Sequence, residues 1–126
     1  MRIGITGGPL TGKTTLANEL ARKLRVNVFH VDDVKYLPWK DQPQEIIKRA
    51  PPNGILEGVQ VARAVRKGLA VDFLVVLDFP LKQPTPKQLA MSRGLETILK
   101  SIQGCSIVRC ASPRDAQNYI EEYAFR

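Results

Sequence analysis

Apolar residues fall into two patterns along the chain, short uninterrupted runs and longer stretches in which they recur every three or four positions. Short runs of this kind are typical of strands buried on both faces of a parallel sheet. They predict strands at about residues 2–6, 26–31, 55–58, 72–77 and 105–109. The helical spacing predicts helices at about residues 13–24, 44–49, 59–67, 86–103 and from residue 113 onward.

The order of these elements predicts the fold class. Strands alternate with helices, which indicates βαβ units and a parallel sheet. Because such crossovers are right-handed, helices cover both faces and the ligand crevice lies at the carboxyl ends of the strands. The chain has 126 residues, of which 44% are hydrophobic, enough for one domain and too few for two ordinary ones. We predict an α/β fold with three layers around a doubly wound, five-stranded parallel sheet.

The segment between the first strand and the first helix carries the most specific motif. Residues 7–14 read Gly-Gly-Pro-Leu-Thr-Gly-Lys-Thr, the Walker A pattern of a phosphate-binding loop, or P-loop. Its glycines let successive backbone N–H groups form an anion nest in front of the positive end of the helix. Lys13 supplies a charge for the β- and γ-phosphates, Thr14 a hydroxyl for Mg²⁺, and Thr15 a contact to the α-phosphate. The residues predicted to bind the nucleotide are Gly7, Gly8, Pro9, Leu10, Thr11, Gly12, Lys13, Thr14 and Thr15.

Acidic residues follow three of the predicted strands. In a doubly wound sheet such positions face the bound nucleotide. Asp32, after the second strand, is our choice for the carboxylate that receives the proton of the phosphoryl acceptor and contacts the metal, with Asp33 beside it. Glu57 either binds the acceptor or a metal-bound water, or is a strand-end charge paired with a cation of the next helix. Asp78 follows an apolar run as a Walker B aspartate does, but many buried strands end in this way.

Cations and one large ring complete the candidate site. Arg93 lies beyond a proline-rich loop and is predicted to close over the phosphates as part of a short lid around residues 79–93. Arg63 is a candidate for an anionic acceptor, and Trp39 a candidate for stacking on an acceptor ring. For these residues a solvated charge and a structural tryptophan remain the alternatives. His30 falls within the second predicted strand, and we assign it no catalytic role.

Composition adds little to this picture. Nineteen basic residues against 12 acidic ones give a net charge of +7, which favours anionic partners and leaves nucleic acid open as one of them. Cys105 and Cys110 have neither zinc-site nor redox-motif spacing and are expected to be free thiols. No signal peptide pattern or membrane-length apolar run is present, so we expect a cytoplasmic protein without a membrane partner.

The chain resembles the small P-loop kinases, the group of adenylate kinase-like, uridine kinase and nicotinamide riboside kinase proteins. The segments that carry the resemblance are residues 7–15, 30–39 (His-Val-Asp-Asp-Val-Lys-Tyr-Leu-Pro-Trp), 56–58 (Leu-Glu-Gly) and 77–80 (Leu-Asp-Phe-Pro). The resemblance implies an ATP-dependent phosphotransferase with strand order 2-3-1-4-5. It places Asp32 at the acceptor hydroxyl, and Ser112 and Pro113 in a loop that contacts adenine. The chain departs from the group in having a single arginine, Arg93, in the lid region and a minimal acceptor-binding insertion.

Three functions fit these features. The first is transfer of the γ-phosphoryl group of Mg-ATP to a hydroxyl or phosphate of a small nucleoside, nucleotide or related acceptor. The second is a polynucleotide 5′-hydroxyl kinase, which the basic composition would suit. The third is a nucleotide-binding module that hydrolyses ATP slowly and regulates a partner. No Asn-Lys-x-Asp guanine-reading segment is present in the sequence, which favours ATP over GTP.

Overall fold

Five parallel strands lie side by side in one sheet in the computed structural model of the chain, which describes residues 1–8, 11–78, 83 and 85–124. The strands are β1 (Arg2–Gly7), β2 (Val28–His30), β3 (Gly54–Glu57), β4 (Phe73–Leu77) and β5 (Ser106–Cys110). Their order across the sheet is β2-β3-β1-β4-β5, with every pairing parallel. This order confirms the one that the sequence resemblance implied.

Among the described residues, four α-helices and two short 3₁₀ turns connect the strands, and a fifth α-helix follows β5. The helices are α1 (Lys13–Leu24), α2 (Gln42–Arg49), α3 (Val61–Arg66), α4 (Pro86–Ser101) and α5 (Pro113–Tyr123). The 3₁₀ turns, Val31–Val34 and Trp39–Asp41, lie between β2 and α2. Within the described part of the chain, no helix has the length and apolar character needed to cross a membrane.

The sheet is the middle of three layers, because its residues point alternately to two separate cores. Helices α2, α3 and α4 cover one face, where Ile46, Val61 and Leu99 belong to one buried apolar cluster with Leu74 of β4. Helices α1 and α5 cover the other, where Leu20 packs with residues of β1 and α5. The predicted three-layer, doubly wound fold is therefore confirmed. Strand β1 is central, which places the loop that follows it between the ends of β3 and β4.

The element boundaries agree with the apolar pattern to within two residues, and β2 shows the reason for one of the differences. It begins two residues later than predicted because Arg25 adopts a left-handed conformation with φ 56° that ends α1. The backbone N–H of Val26 then donates to Ala21, which ties this residue to the end of the helix. At α4 the predicted start is confirmed: Thr85 caps the helix, and its side chain and that of Gln88 exchange hydrogen bonds with each other's backbone N–H groups at 3.2 and 2.9 Å.

Arg109 joins α4, β4 and β5 at the surface. Its guanidinium donates to Asp78 Oδ2 at 2.8 Å and to both oxygens of Glu96 at 2.8 and 2.9 Å. Hydrogen bonds from Arg109 lower the pKa of Glu96. A carboxylate whose pKa is lowered by folding stabilises the folded state above the pKa of the unfolded chain, about 4.3, and loses this contribution as the pH falls.

We expect Arg109→Met to lower the free energy of unfolding by about 0.5–1 kcal/mol at pH 7, the size typical of exposed ion pairs. The effect is small because all three side chains are at least 41% exposed. Urea denaturation at pH 7 and pH 3 measures it, and the difference from the wild type should shrink at pH 3. Arg22→Met is the control, because Arg22 is exposed in α1 without an ion pair to any described residue. Equal losses for the two variants would contradict the assignment.

Candidate active site

The P-loop lies between the carboxyl end of β1 and the amino end of α1. Gly12 begins the helix with φ 84°, a left-handed conformation that favours glycine, and its carbonyl accepts the N–H of Leu16 at 3.0 Å. Gly7 has no room for a side chain, since a Cβ there would lie 2.9 Å from Leu77 O and from Thr11 Oγ1. The geometry that a phosphate loop needs, strand, glycine-rich turn and helix, is therefore present. The predictions for Pro9 and Leu10 lie outside the described residues.

Lys13 is half-buried in this loop, and its Nζ donates to the carbonyl of Gly8 at 3.2 Å. Burial lowers the pKa of Lys13, while the negative charges of Glu57 and Asp32 act in the opposite direction. Two carboxylates are thus close enough to act on the lysine charge. A lysine ammonium held beside backbone N–H groups at a helix start is suited to phosphate oxygens.

Glu57 is the carboxylate in direct contact with the P-loop. It ends β3, next to β1, and is only 3% exposed. The hydroxyl of Thr14 donates to Glu57 Oε1 at 2.9 Å, and Nδ1 of His30 lies 2.6 Å from Oε2. Nε2 of His30 lies 3.1 Å from the side-chain oxygen of Asn18 in α1. These contacts fix both carboxylate oxygens in place at the loop.

The alternative in which Glu57 pairs with a cation of the next helix is therefore wrong, since its described partners are Thr14 and His30. His30, for which we predict no catalytic role from the sequence, holds this carboxylate. The signal was available: in the order β2-β3-β1, His30 and Glu57 are register partners, and β3 ends beside the P-loop. Asp78, the weaker acidic candidate, instead forms its ion pair with Arg109.

Asp32 and Asp33 are the two exposed residues of the 3₁₀ turn that follows β2. The turn packs against the end of β3 through Val31. A Cβ on Gly58 would overlap Cγ2 of Val31, and Gly58 has φ 143°, so only glycine permits this approach. The close packing brings the Asp32 turn to the same edge of the sheet as Glu57.

Trp39 and Arg63, both predicted to bind the acceptor, lie against each other. The guanidinium of Arg63 lies 4.6 Å from the centre of the Trp39 ring, and one terminal nitrogen donates to Trp39 O and to Gln60 Oε1, each at 3.0 Å. Gln60 in turn donates to Gln42 in the interior at 2.9 Å. Burial, followed by the nearby charge of Arg66, lowers the pKa of Arg63. Within the described ranges no carboxylate pairs with Arg63.

The remaining predicted residues surround the loop less closely. A Cβ on Gly12 would lie 3.4 Å from Pro113, so the α5 start with its Ser112 cap is next to the P-loop. Arg93 is exposed in α4, where its side chain contacts no described partner, and its predicted lid role stays a prediction. Residues 79–82 and 84 of the predicted lid lie outside the described ranges. The sequence did not single out Ser92, whose Oγ would lie 3.2 Å from a Cβ on Gly8.

The donor set fits Mg²⁺, the metal that the motif implies. Mg²⁺ prefers oxygen ligands, keeps several waters, and is bound through one or two carboxylates together with substrate phosphates. Thr14 and Glu57 present a hydroxyl and a carboxylate joined at 2.9 Å beside the phosphate loop. The site therefore has suitable oxygen groups where the motif requires a metal.

Comparison with known proteins yields no matching family model and no matching curated protein. Three solved shikimate kinases resemble the structure over nearly its whole length. The enzyme from Aquifex aeolicus gives a TM-score of 0.63 at 16% identity and covers 97% of this chain and 95% of its own. The Acinetobacter baumannii enzyme in complex with shikimate gives a TM-score of 0.56 at 14% identity and covers 96% of this chain and 90% of its own. The Bacteroides thetaiotaomicron enzyme gives a TM-score of 0.54 at 14% identity and covers 97% of this chain and 95% of its own. At these identities the likeness establishes the fold, which is that of the P-loop kinases.

Proposed function

We propose that the protein is an ATP-dependent kinase that transfers the γ-phosphoryl group of Mg-ATP to a hydroxyl or phosphate of a small acceptor, such as a nucleoside, nucleotide or related compound. One observation carries the proposal: two carboxylates from different strand ends lie around one P-loop. Glu57 bonds to Thr14, and Asp32 is close enough to act on the charge of Lys13. The fold shared with shikimate kinases supports a kinase in general.

On the donor side, the P-loop and Lys13 hold the triphosphate, and the adenine lies near Ser112 and Pro113. Thr14 would hold the metal, and Glu57 would act on it through water. When bound, Mg²⁺ neutralises charge on the β- and γ-phosphates. His30 keeps Glu57 turned toward this position through the 2.6 Å contact.

On the acceptor side, Asp32 receives the proton of the acceptor hydroxyl. The acceptor oxygen forms a bond to the γ-phosphorus as the bond from phosphorus to the β–γ bridging oxygen breaks, and ADP leaves. Lys13 and Arg93 balance the negative charge that shifts to the leaving oxygen. Catalysis of this kind depends on position and charge more than on covalent chemistry by the protein.

ADP release tests the proposal. Purified protein is incubated with Mg-ATP and a panel of nucleosides, nucleotides, hydroxy acids and 5′-hydroxyl oligonucleotides. We expect at least one acceptor to raise ADP release about tenfold or more above the rate with water alone. Lys13→Ala, which should abolish release with every acceptor, controls for contaminating kinases. ATP binding without stimulation by any acceptor would contradict the proposal and favour the slow ATPase module.

A second acceptor class, the 5′-hydroxyl end of a polynucleotide, is favoured by one observation. Tyr36 and Trp39 are 65% and 58% exposed, and each has an arginine over its ring. Single-stranded nucleic acids bind to such aromatic and basic surfaces. If the acceptor is an oligonucleotide, its affinity should rise with length and fall steeply with salt, because bound phosphates release counterions.

A further inference from the structure

A cavity of about 300 Å³ lies between α4, which lines it from Lys87 to Ile98, and a facing wall formed by Trp39, Val59 and Arg63 of α3. Trp39 and Arg63 form one side of it, Met91 and Gly94 the other, and Val59 and Lys87 also contribute. Ligand pockets range from about 300 to 1,000 Å³, so this one has room for a single ring or a short hydrocarbon chain. The P-loop motif did not require this cavity, and the sequence did not predict it.

Two chain segments connect the lining of the cavity to the phosphate site. Val59 follows Glu57 by two residues, and its carbonyl accepts the hydroxyl of Thr6 of β1 at 3.3 Å. On the α4 side, Met91 precedes Ser92, whose Oγ would lie 3.2 Å from a Cβ on Gly8. A molecule in the cavity is therefore next to the P-loop, on the side of the candidate acceptor residues Trp39 and Arg63.

The walls of the cavity are almost entirely hydrocarbon. Among the residues that the structure describes, none of its lining side chains is a carboxylate, a carboxamide or an aliphatic hydroxyl. A sugar or other polyhydroxy compound would lose water from its hydroxyl groups here without gaining partners, which is unfavourable for each buried polar group. An apolar body would instead bury carbon against carbon.

The charged groups at the cavity are both positive. Arg63 is half-buried, and only one of its terminal nitrogens donates to described groups, Trp39 O and Gln60 Oε1. No described carboxylate neutralises it, whereas Arg49 and Arg109 each have acidic partners. Burial lowers the pKa of Arg63, as expected of a guanidinium held without a counter-charge. An anionic group on the ligand would supply that charge.

We propose that the cavity binds an amphipathic hydroxy acid: an apolar ring or short hydrocarbon body between Trp39 and Met91, with an anionic group at Arg63 and Lys87. That the bound acid is the phosphoryl acceptor rests on the proposed function. That the cavity binds such an acid does not depend on the proposed function. It sets the ligand class apart from polyhydroxy acids, sugars and unmodified nucleosides.

Trp39 is the single tryptophan of the chain and reports directly on the cavity. Its fluorescence is followed while the protein is titrated with three compounds of similar size. These are 4-(hydroxymethyl)benzoate, the uncharged diol 1,4-benzenedimethanol, and gluconate as the polyhydroxy acid. We expect the aromatic acid to change the fluorescence with a Kd at least tenfold lower than that of either other compound.

Two variants with matched controls locate the binding site. Arg63→Gln should weaken binding of the aromatic acid about tenfold or more, the usual loss for a charged hydrogen bond, and leave the diol nearly unchanged. Arg66→Gln, on the same helix but outside the cavity, should stay within twofold of the wild type. The leucine side chain in Gly94→Leu should fill the cavity and weaken the binding of all three compounds. A Cβ at Gly94 meets no atom within 4 Å, so Gly94→Ala should retain binding and shows that the helix tolerates the change.

The results separate this inference from the proposed function. Equal or tighter binding of gluconate, or unchanged binding of the aromatic acid in Gly94→Leu, would overturn the inference. If the aromatic acid binds as expected but does not stimulate ADP release, the binding site is supported and its role as the acceptor site fails. If only gluconate or a nucleoside is phosphorylated, the proposed function stands and the inference is wrong.

Discussion

Asp32→Asn is expected to reduce acceptor-dependent phosphoryl transfer about 1,000-fold, within the range of about 100 to 10,000 that general-base catalysis contributes. Asparagine keeps the size of the side chain but cannot take the acceptor proton. Because Asp32 is exposed in the turn after β2, the substitution should leave the fold and the free energy of unfolding nearly unchanged. The rate of ADP release at saturating ATP and acceptor measures the effect.

ATP affinity separates a catalytic from a structural loss in Asp32→Asn. In the proposed mechanism the P-loop and Glu57 hold the donor, so the Kd for Mg-ATP should change less than about threefold. Asp41→Asn, an exposed acid in the next 3₁₀ turn, is the matched control and should keep wild-type activity. Equal activity in Asp32→Asn and Asp41→Asn would remove Asp32 from the mechanism.

Glu57→Gln is expected to lower kcat about 100-fold. This is comparable to the effect of removing one electrostatic group from a preorganised site. The amide oxygen can still accept the hydroxyl of Thr14, so the packing at the end of β3 is preserved. The negative charge near the metal position is lost. The Mg²⁺ concentration needed for half-maximal activity should therefore rise, and a titration of activity against Mg²⁺ measures it.

The same substitution should change the pH dependence of ATP binding. The charge of Glu57 raises the pKa of Lys13 against the lowering effect of burial. Removing it lowers that pKa further, so Lys13 loses its proton, and the site loses ATP affinity, at a lower pH than in the wild type. Glu122→Gln, an exposed acid in α5, is the control. An unchanged Mg²⁺ requirement in Glu57→Gln would show that Glu57 does not serve the metal.

The sequence was sufficient to predict the structure where that structure depends on residues close together in the chain. The P-loop motif predicted a strand, a turn and a helix in succession, and α1 has the predicted bounds, Lys13–Leu24. Thr85 and Pro86 likewise marked the start of α4, because capping needs only residues within one turn. On the inward face of α4, Leu95 and Leu99 are 7% and 4% exposed, as expected of apolar residues at helical spacing.

Local sequence patterns were insufficient where structure depends on which elements become neighbours, and only the family resemblance implied the strand order. Glu57 meets Thr14 only because β3 lies beside β1, and no local pattern around either residue contains that information. The cavity arises from the gap between α3 and α4, where Met91 and Ile98 are only half-buried and line the open space. A hydrophobic pattern shows that one face of a helix is buried, but it does not show how tightly the facing element packs against it.

Transfer of labelled phosphate tests the central claim most directly, that the protein moves a phosphoryl group to an acceptor. The protein is incubated with γ-labelled ATP, Mg²⁺ and the acceptor that most stimulates ADP release, and the label is separated into acceptor and inorganic phosphate. We predict that most of the label appears on the acceptor and that Asp32→Asn, with ATP still bound, labels almost none. Release of the label as inorganic phosphate, at the same rate with and without acceptor, would contradict the account.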